Sequence, residues 1–291
     1  TSLDASPKRT SRAQLELLRG LGFRRINFEV RDIDIEVQKA LGRSHSLPIL
    51  RDVYDNARDC AFETVSMDLV YGLPNQTLSS MNATLQAIGE LAPDRLLCLA
   101  FLRRPDIFLH QRSLDPAAMP SLADKMAMFN AIADTLQEAS YTWIGLDYFV
   151  SDSDPLSAAR QNGEIRRNWI GYTSVDTEIV LGFGTGAVSE LPGVAVENYS
   201  DIGQWSDALW VDRLPIRVGS RLSPSEVEQR RALSDLMCNM ELKGCSSQVL
   251  DDEAGPLARL RERGFIAESG ADRLAVTEQG RFALHQYWGD A

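Results

Sequence analysis

The chain is poor in the side chains that hold metals. It has four cysteines and three histidines in 291 residues. No two of Cys60, Cys98, Cys238 and Cys245 stand in C-x-x-C spacing, and the nearest pair has six residues between them. That spacing suits neither zinc nor an iron–sulfur cluster. His45, His110 and His285 show no ligand spacing either, so no metal site is expected within the chain. Buried free thiols in a reducing cytoplasm are the expected state of the cysteines. Positive charge is also scarce: the net charge of -11 argues against general nucleic-acid binding, while leaving room for a local basic pocket. No apolar run is long enough to span a bilayer, and no membrane partner is expected. No Met or signal peptide precedes Thr1, and "TSLDAS" reads as the end of a strand. The chain is therefore expected to be the C-terminal part of something longer.

What is present is an ordinary globular composition, 44% hydrophobic and 24% charged. Up to residue 150, helical and extended patterns alternate. Helices are predicted over 11–21 (with Leu15, Leu17, Leu18 and Leu21 on one side), 34–42, 47–62, 78–92 and 121–139. Strands are predicted over 24–30, 64–72, 95–102 and 142–150. Near-continuous apolar strands alternating with helices predict an α/β fold with a parallel sheet covered on both faces. Beyond 150 the pattern changes. Residues 168–191 are rich in glycine and aromatics, 198–210 predict a helix, and 212–222 a linker with strand character. Ser223-Pro224 opens a capped helix. The helices and two-stranded hairpin that follow predict a small winged-helix-like domain, with a boundary at 221/222.

"SMDLVYGLPNQT" (66–77) places Asp68 a few residues before a Gly/Pro turn. In parallel α/β barrels the functional face is the one at the C-terminal strand ends. A carboxylate there can accept hydrogen bonds from ligand hydroxyl or amine groups. Pairing with a backbone amide or an arginine inside the fold is the structural alternative. Asp4, Arg31, Asp32, Arg103, Arg104 and Asp147 fall at similar strand ends. Together they outline a rim of cations in an acidic protein, which suits an anionic ligand because arginine forks match carboxylates. "GFGTGAVS" (182–189) has three glycines but lacks a βαβ context, so a dinucleotide loop is not expected. The glycines are expected to let the backbone approach a ligand. No nucleophilic triad can be argued, and catalytic residues are not assigned.

The motifs "LRGLGFRRINFEVRD", "EVQKALGRSH", "SMDLVYGLPNQT", "APDRL", "PDIFLHQR", "YTWIGLDYF", "RRNWIGYT" and "LGFGTGAVS" resemble, in order and spacing, the oxygen-independent coproporphyrinogen III oxidases of the radical-SAM superfamily. The resemblance runs from residue 4 to about 190, and the C-terminal unit also resembles that family's extra domain. It implies a partial (β/α) radical-SAM-type barrel over 1–221 and a helical, winged-helix-like domain over 222–291. The implied cofactors are S-adenosyl-L-methionine (SAM) and a [4Fe-4S] cluster, with the cluster ligands expected in a preceding part. In the family a 5′-deoxyadenosyl radical takes a hydrogen from a propionate of coproporphyrinogen, which loses CO2 to become a vinyl group. These 291 residues alone are expected not to perform that step.

Carried over residue by residue, the resemblance assigns SAM contacts to Asp4 (a glutamate in the family), Arg31 (a glutamine), Arg43, Asp68, Leu102 (a smaller residue) and Val188 (an isoleucine). It assigns substrate contacts to Arg103 (a histidine), Arg104, Arg167, Trp169 and Ile170 (a glutamine), with Arg166 a further candidate. Replacing glutamine by isoleucine removes hydrogen-bonding groups, and Arg31 adds a charge beside a sulfonium that Asp32 or Asp68 could balance. These departures put the second SAM site and the substrate in question. The implied partners are a tetrapyrrole and an electron donor protein, in the cytoplasm. Two alternatives stay open: a radical-SAM paralogue acting on another anionic tetrapyrrole, and a non-catalytic haem- or porphyrin-binding protein.

Overall fold

The computed structural model describes residues 1–44, 46–168, 170–175, 179–243, 255–270 and 273–284. The chain divides into two compact units, Thr1–Ser157 and Ala158–Ala291. The boundary expected at 221/222 falls inside the second unit. There the segment that the sequence suggested as a linker with strand character is hydrogen-bonded to its neighbour in a sheet.

The first unit alternates β1 (Ser2–Ala5), α1 (Arg12–Gly20), β2 (Arg25–Arg31), α2 (Ile35–Ala40), α3 (Leu47–Asp59), β3 (Thr64–Tyr71), α4 (Leu78–Gly89), β4 (Arg95–Ala100), α5 (Leu122–Glu138), β5 (Tyr141–Ile144) and β6 (Tyr148–Ser151). The sheet order is β1-β2-β3-β4-β6-β5, with β1 to β4 parallel. Residues 142–150 are not the single strand predicted. They form the antiparallel hairpin β5–β6, and β6 runs antiparallel to β4. Gly145, at φ 58°, makes the turn, which also holds Asp147. Of the predicted face of α1, Leu15 is buried, whereas Leu17 and Leu21 are 63% and 68% exposed. The i, i+3 stripe Leu15 and Leu18 is what turns inward.

The two faces of the sheet differ, contrary to the expectation that both would be covered. In β2, Ile26, Phe28 and Val30 are buried while Asn27, Glu29 and Arg31 are half-buried. In β3, Met67, Leu69 and Tyr71 are buried while Ser66, Asp68 and Val70 are half-buried. The alternation "INFEVR" and "SMDLVY" has period two, so each strand presents a dry face and a polar one. The register aligns Asp4 with Asn27, and Glu29 with Asp68 and then Leu97 and Tyr148, placing them on the polar face. A buried Arg95–Asp154 pair, with contacts of 2.6 and 3.0 Å, ties β4 to the segment after β6.

The segment 72–77 locks the end of β3. Gly72 adopts φ 81° and Asn75 φ 63°. The Gln76 side chain donates to Val70 O (2.9 Å) and to Asp32 Oδ2 (2.5 Å), and accepts from Leu73 N (3.0 Å). Thr77 then caps α4 through a reciprocal box with Ser80.

Helix α6 (Pro155–Gln161) leads into the second unit. There β7 (Arg166–Asn168) and β8 (Gly171–Thr173) make a hairpin. Next come β9 (Val188–Leu191), β10 (Val194–Asn198), α7 (Ile202–Trp210) and β11 (Ile216–Arg221), with the three strands forming an antiparallel sheet. Helix α8 (Pro224–Asn239), β12 (Glu241–Lys243), α9 (Pro256–Glu262), β13 (Ile266–Gly270), β14 (Arg273–Val276) and α10 (Glu278–Ala283) complete it. Strands β12, β14 and β13 form a second antiparallel sheet, packed with buried Leu233, Leu236, Leu257, Leu260 and Phe282.

Candidate functional site

The polar face of the first unit's sheet gathers the strongest constellation. Asn27 Nδ2 donates to Asp4 Oδ1 (3.0 Å) and to Asp68 Oδ1 (2.9 Å), so one amide holds two carboxylates. Beside them, Glu29 accepts from Arg31 Nη2 (2.5 Å) and Arg31 Nε (3.1 Å) on one oxygen and from Arg43 Nη2 (2.9 Å) on the other. Arg31 follows a β-bulge and adopts φ 67°, a costly conformation for a residue with a Cβ. The bulge lets Arg31 fold back onto Glu29 two residues earlier.

The two carboxylates Asp68 and Glu29 respond oppositely to this setting. Burial pushes Asp68 from 3.8 up to about 6. Asn27 opposes that, the like charges of Asp4 and Glu29 add to it, and Arg31 opposes it. Burial also raises Glu29, but the hydrogen bonds from Arg43 and Arg31 outweigh it and hold its carboxyl below the ordinary value. The result is a pair, Asp4 and Asp68, that has no ion pair of its own among the described residues, beside a carboxylate that has two. Such a pair can accept hydrogen bonds from the ammonium or hydroxyl groups of a ligand.

Asp32 does not serve this site. It is buried and accepts from Asp34 N, Thr84 Oγ1 and Gln76 Nε2, with burial raising its pKa against those bonds. Glu29, which sequence reasoning passed over, balances Arg31 instead. Asn27 was missed as well. The period-two alternation of "INFEVR" was the signal for both.

Leu102, Arg103 and Arg104 follow the C-terminal end of β4. Buried Gln111 latches them, accepting from Arg104 N (2.5 Å) and donating to Leu102 O (3.3 Å). Leu102 is exposed, and exposed Arg104 pairs with Asp106 at 3.2 Å. Arg103 Nε is buried and has no hydrogen-bond partner among the described residues. A cavity of about 390 Å³ lies between Arg31, Lys39 and Gly42 on one side and Phe101, His110 and Gln111 on the other. It brings Arg31 to the loop after β4.

The remaining assigned residues belong to the second unit. Arg167 stacks on Tyr172, with 5.4 Å from the guanidinium carbon to the ring centroid. Ile170, 81% exposed, sits at the tip of the β7–β8 hairpin, where Asn168 Oδ1 accepts from its amide. Trp169, His45, His285 and Cys245 lie outside the described residues. Val188 opens β9 and is half-buried. Within the glycine loop a Cβ at Gly182 would lie 2.4 Å from Val188 O, so the close approach at Gly182 is to its own backbone, while a Cβ at Gly184 would meet nothing within 4 Å. Cys98 and Cys238 are buried free thiols, and Cys60 is half-buried. Among the described residues no group of three or more His, Cys, Asp or Glu could hold a metal ion, so the residues here do not fit an iron–sulfur cluster. The Asp4–Asn27–Asp68 bridge, with acceptors facing a partly open sheet surface, does fit a cationic, hydroxyl-rich ligand such as SAM. No helix among the described residues is long and apolar enough to cross a membrane.

No family model matches the chain. Curated relatives do. An oxygen-independent coproporphyrinogen III oxidase of Thermostichus vulcanus is 32% identical over 292 residues, covering 97% of this chain and 90% of the relative. One from Synechocystis is 31% identical over 299 residues, and there the chain spans 63% of the relative's length. One from Pseudomonas aeruginosa is 32% identical, with 60% of its length spanned. Among solved structures, the coproporphyrinogen III oxidase of Escherichia coli, described as a radical SAM enzyme, superposes with a TM-score of 0.89 at 27% identity. That match covers 98% of this chain and 67% of the other. The chain belongs to the oxygen-independent coproporphyrinogen III oxidase family.

Proposed function

We propose that the chain supplies the SAM-facing and substrate-facing surfaces of an oxygen-independent coproporphyrinogen III oxidase. This is a radical-SAM oxidoreductase of haem biosynthesis that converts coproporphyrinogen propionates to vinyl groups with loss of CO2. The observation that carries the reading is the Asn27 bridge between Asp4 and Asp68, on a polar sheet face in a chain of this family. Asp4, Asp68, Arg31 and Arg43 hold the amino-acid and ribose parts of SAM, and Leu102 packs on its base; the assignment of Val188 rests on the family resemblance alone. When bound, SAM supplies the radical chemistry. Arg103 and Arg104 take carboxylates of the tetrapyrrole; the assignment of Arg167, Trp169 and Ile170 to the substrate rests on the family resemblance alone. Arg103, whose buried Nε has no hydrogen-bond partner among the described residues, is the group best placed to gain from a carboxylate. An electron donor protein and a cytoplasmic setting complete the proposal. So does the finer reading of the fold: a partial radical-SAM barrel followed by a winged-helix-like domain over 222–291, supported by α8, α9 and the β12-β14-β13 sheet.

The test uses full-length protein reconstituted without oxygen and supplied with reductant, SAM and coproporphyrinogen. Formation of 5′-deoxyadenosine together with vinyl-bearing product is the expected outcome. SAM cleavage without vinyl formation would move the substrate to another anionic tetrapyrrole. Absence of cleavage with tight porphyrin binding would replace the enzyme by a binding protein. Independently of turnover, SAM is expected to raise the melting temperature of this chain, and Asp68→Asn to remove most of that rise.

A further inference from the structure

Asp32 hydrogen-bonds to none of the ligand-facing side chains, yet each of its own polar groups is engaged. It is 1% exposed. Its Oδ1 accepts from Asp34 N (2.8 Å) and Thr84 Oγ1 (2.8 Å), and its Oδ2 from Gln76 Nε2 (2.5 Å). Its backbone O accepts from Gln38 Nε2 (3.2 Å), and its N donates to Val30 O (3.0 Å). These partners come from the start of α2, from α4, from the loop after β3 and from β2 itself. Among the described residues the carboxylate has no ion pair. Burying a charge in that way is costly, and a well-packed neutral residue would fill the space at lower cost. The carboxylate therefore marks a place where position matters.

The position that it fixes is that of Arg31. The bond from Asp32 N to Val30 O closes a three-residue turn centred on Arg31, at φ 67°. Glycine takes such a φ freely, and a residue with a Cβ keeps it only where its surroundings over-determine it. An arginine there is held for its side chain. Its Nε and Nη2 are engaged by Glu29, and its Nη1 has no partner among the described residues. Arg31 also lines the cavity of about 390 Å³. Gln76 completes the clamp. It bonds to Val70 O and Leu73 N at the end of β3 while holding Asp32 at the end of β2. The two strand ends that carry Asp68 and Arg31 are thereby joined through buried hydrogen bonds.

We propose that Asp32 is a positioning residue for the ligand face, clamping the turn at Arg31 to the end of β3 so that the Arg31 guanidinium stands on Glu29 before a ligand arrives. Only the choice of SAM as that ligand rests on the functional reading above. An asparagine cannot do the same work. Gln76 is fixed in one orientation, because its Oε1 accepts from Leu73 N and its Nε2 donates to Val70 O. An amide at position 32 would turn its own N–H groups on Gln76 Nε2 or on Asp34 N, donor against donor. The turn then relaxes toward an ordinary φ and carries the guanidinium off Glu29.

The experiment is a double-mutant cycle on SAM affinity, measured by titration calorimetry on the intact chain for wild type, Asp32→Asn, Arg31→Gly and the double variant. Each single change is expected to weaken binding about tenfold, the worth of one charged hydrogen bond. The double variant is expected to bind no more weakly than Arg31→Gly, because without the guanidinium there is nothing to aim. A merely structural Asp32 gives losses that multiply. That result, or unchanged affinity in Asp32→Asn, would overturn the proposal. Should Asp32→Asn not fold, Thr84→Val removes one donor to the carboxylate at nearly constant volume and takes its place in the cycle, with a several-fold loss expected. A second readout needs no ligand. The Arg31 Nε–H signal in the ¹⁵N spectrum, identified by its loss in Arg31→Gly, is expected to shift in Asp32→Asn as it does in Glu29→Ala, where its acceptor is gone. A signal unmoved from wild type would overturn the proposal. If wild type does not bind SAM and Asp32→Asn still moves the Arg31 signal, the clamp stands and the SAM reading fails. If SAM binds and the two losses multiply, this inference fails and the functional reading stands.

Discussion

Asp68→Asn is the substitution in which the site's chemistry becomes a measurable stability. In the folded chain burial and the neighbouring acids hold Asp68 at about 6, against an ordinary value of 3.8. At roughly 1.36 kcal/mol per pH unit, ionised Asp68 costs the fold about 3 kcal/mol. The cost depends on pH in a definite direction. Below about pH 4 both folded and unfolded chains bind the proton, and there is no penalty. Between 4 and 6 the folded chain binds more protons than the unfolded one, so stability falls as pH rises. Above about 6 the penalty is complete and constant. An asparagine keeps the oxygen that accepts from Asn27 Nδ2 at 2.9 Å and removes the charge. The variant is therefore expected to match the wild type near pH 4. Above pH 6.5 it should exceed it by roughly 2–3 kcal/mol, or about 5–10 °C in the first unit's melting transition. Thermal melts of both proteins from pH 4 to 8, without ligand, give the comparison. A variant that melts lower at pH 7.5, or differs from wild type by the same amount at every pH, would refute the reasoning. A carboxylate that weakens its own fold is one kept for a partner, so added SAM should stabilise the wild type far more than the variant.

Glu29→Gln should act in the opposite sense. Arg43 and Arg31 hold Glu29 below its ordinary value, so its contribution is present at neutral pH and lost as pH falls through its folded value. The variant's melting curve should be flatter on the acid side. Asp154→Ala leaves Arg95 charged and buried without its bidentate partner, and denaturant unfolding should show a loss of about 3–5 kcal/mol. Gly182→Ala drives a methyl against the Val188 carbonyl, a backbone atom that cannot swing away. Calorimetry should show the second unit destabilised by about 1–3 kcal/mol. In amide exchange β1 and β5, the two edge strands of the first sheet, should be less protected than β2, β3 and β4, because among the described residues each pairs on one side only. Slow exchange in β1 equal to that of β3 would contradict this.

The family and the order of elements were legible in the chain because both depend on local patterns. Thr77, Ser121 and Ser223 cap the helices at which the sequence placed starts, and the apolar runs of β2, β3 and β4 stand where they were expected. Asp4, Arg31, Arg43 and Asp68 could be named from the resemblance; Asp4, Arg31 and Asp68 stand on three strands of one sheet, and Arg43, in the loop after α2, donates to Glu29 there. What bonds to what was decided only in three dimensions. Asn27 and Glu29 are 41 and 39 residues from Asp68, by the register of parallel strands, and nothing local marks them as its neighbours. Residues 142–150 read as one strand because a single glycine carries the turn, and the sheet's antiparallel end depends on where β6 finds β4. The basic cavity of the second unit is the extreme case. Arg166 and Arg231 are separated by a sheet and a helix in the chain, and only folding brings both to the wall of one cavity of about 710 Å³. Local spacing writes helices, caps and motifs into the sequence. Charge pairing across the sheet and around a cavity arises from packing, which joins residues without regard to their order.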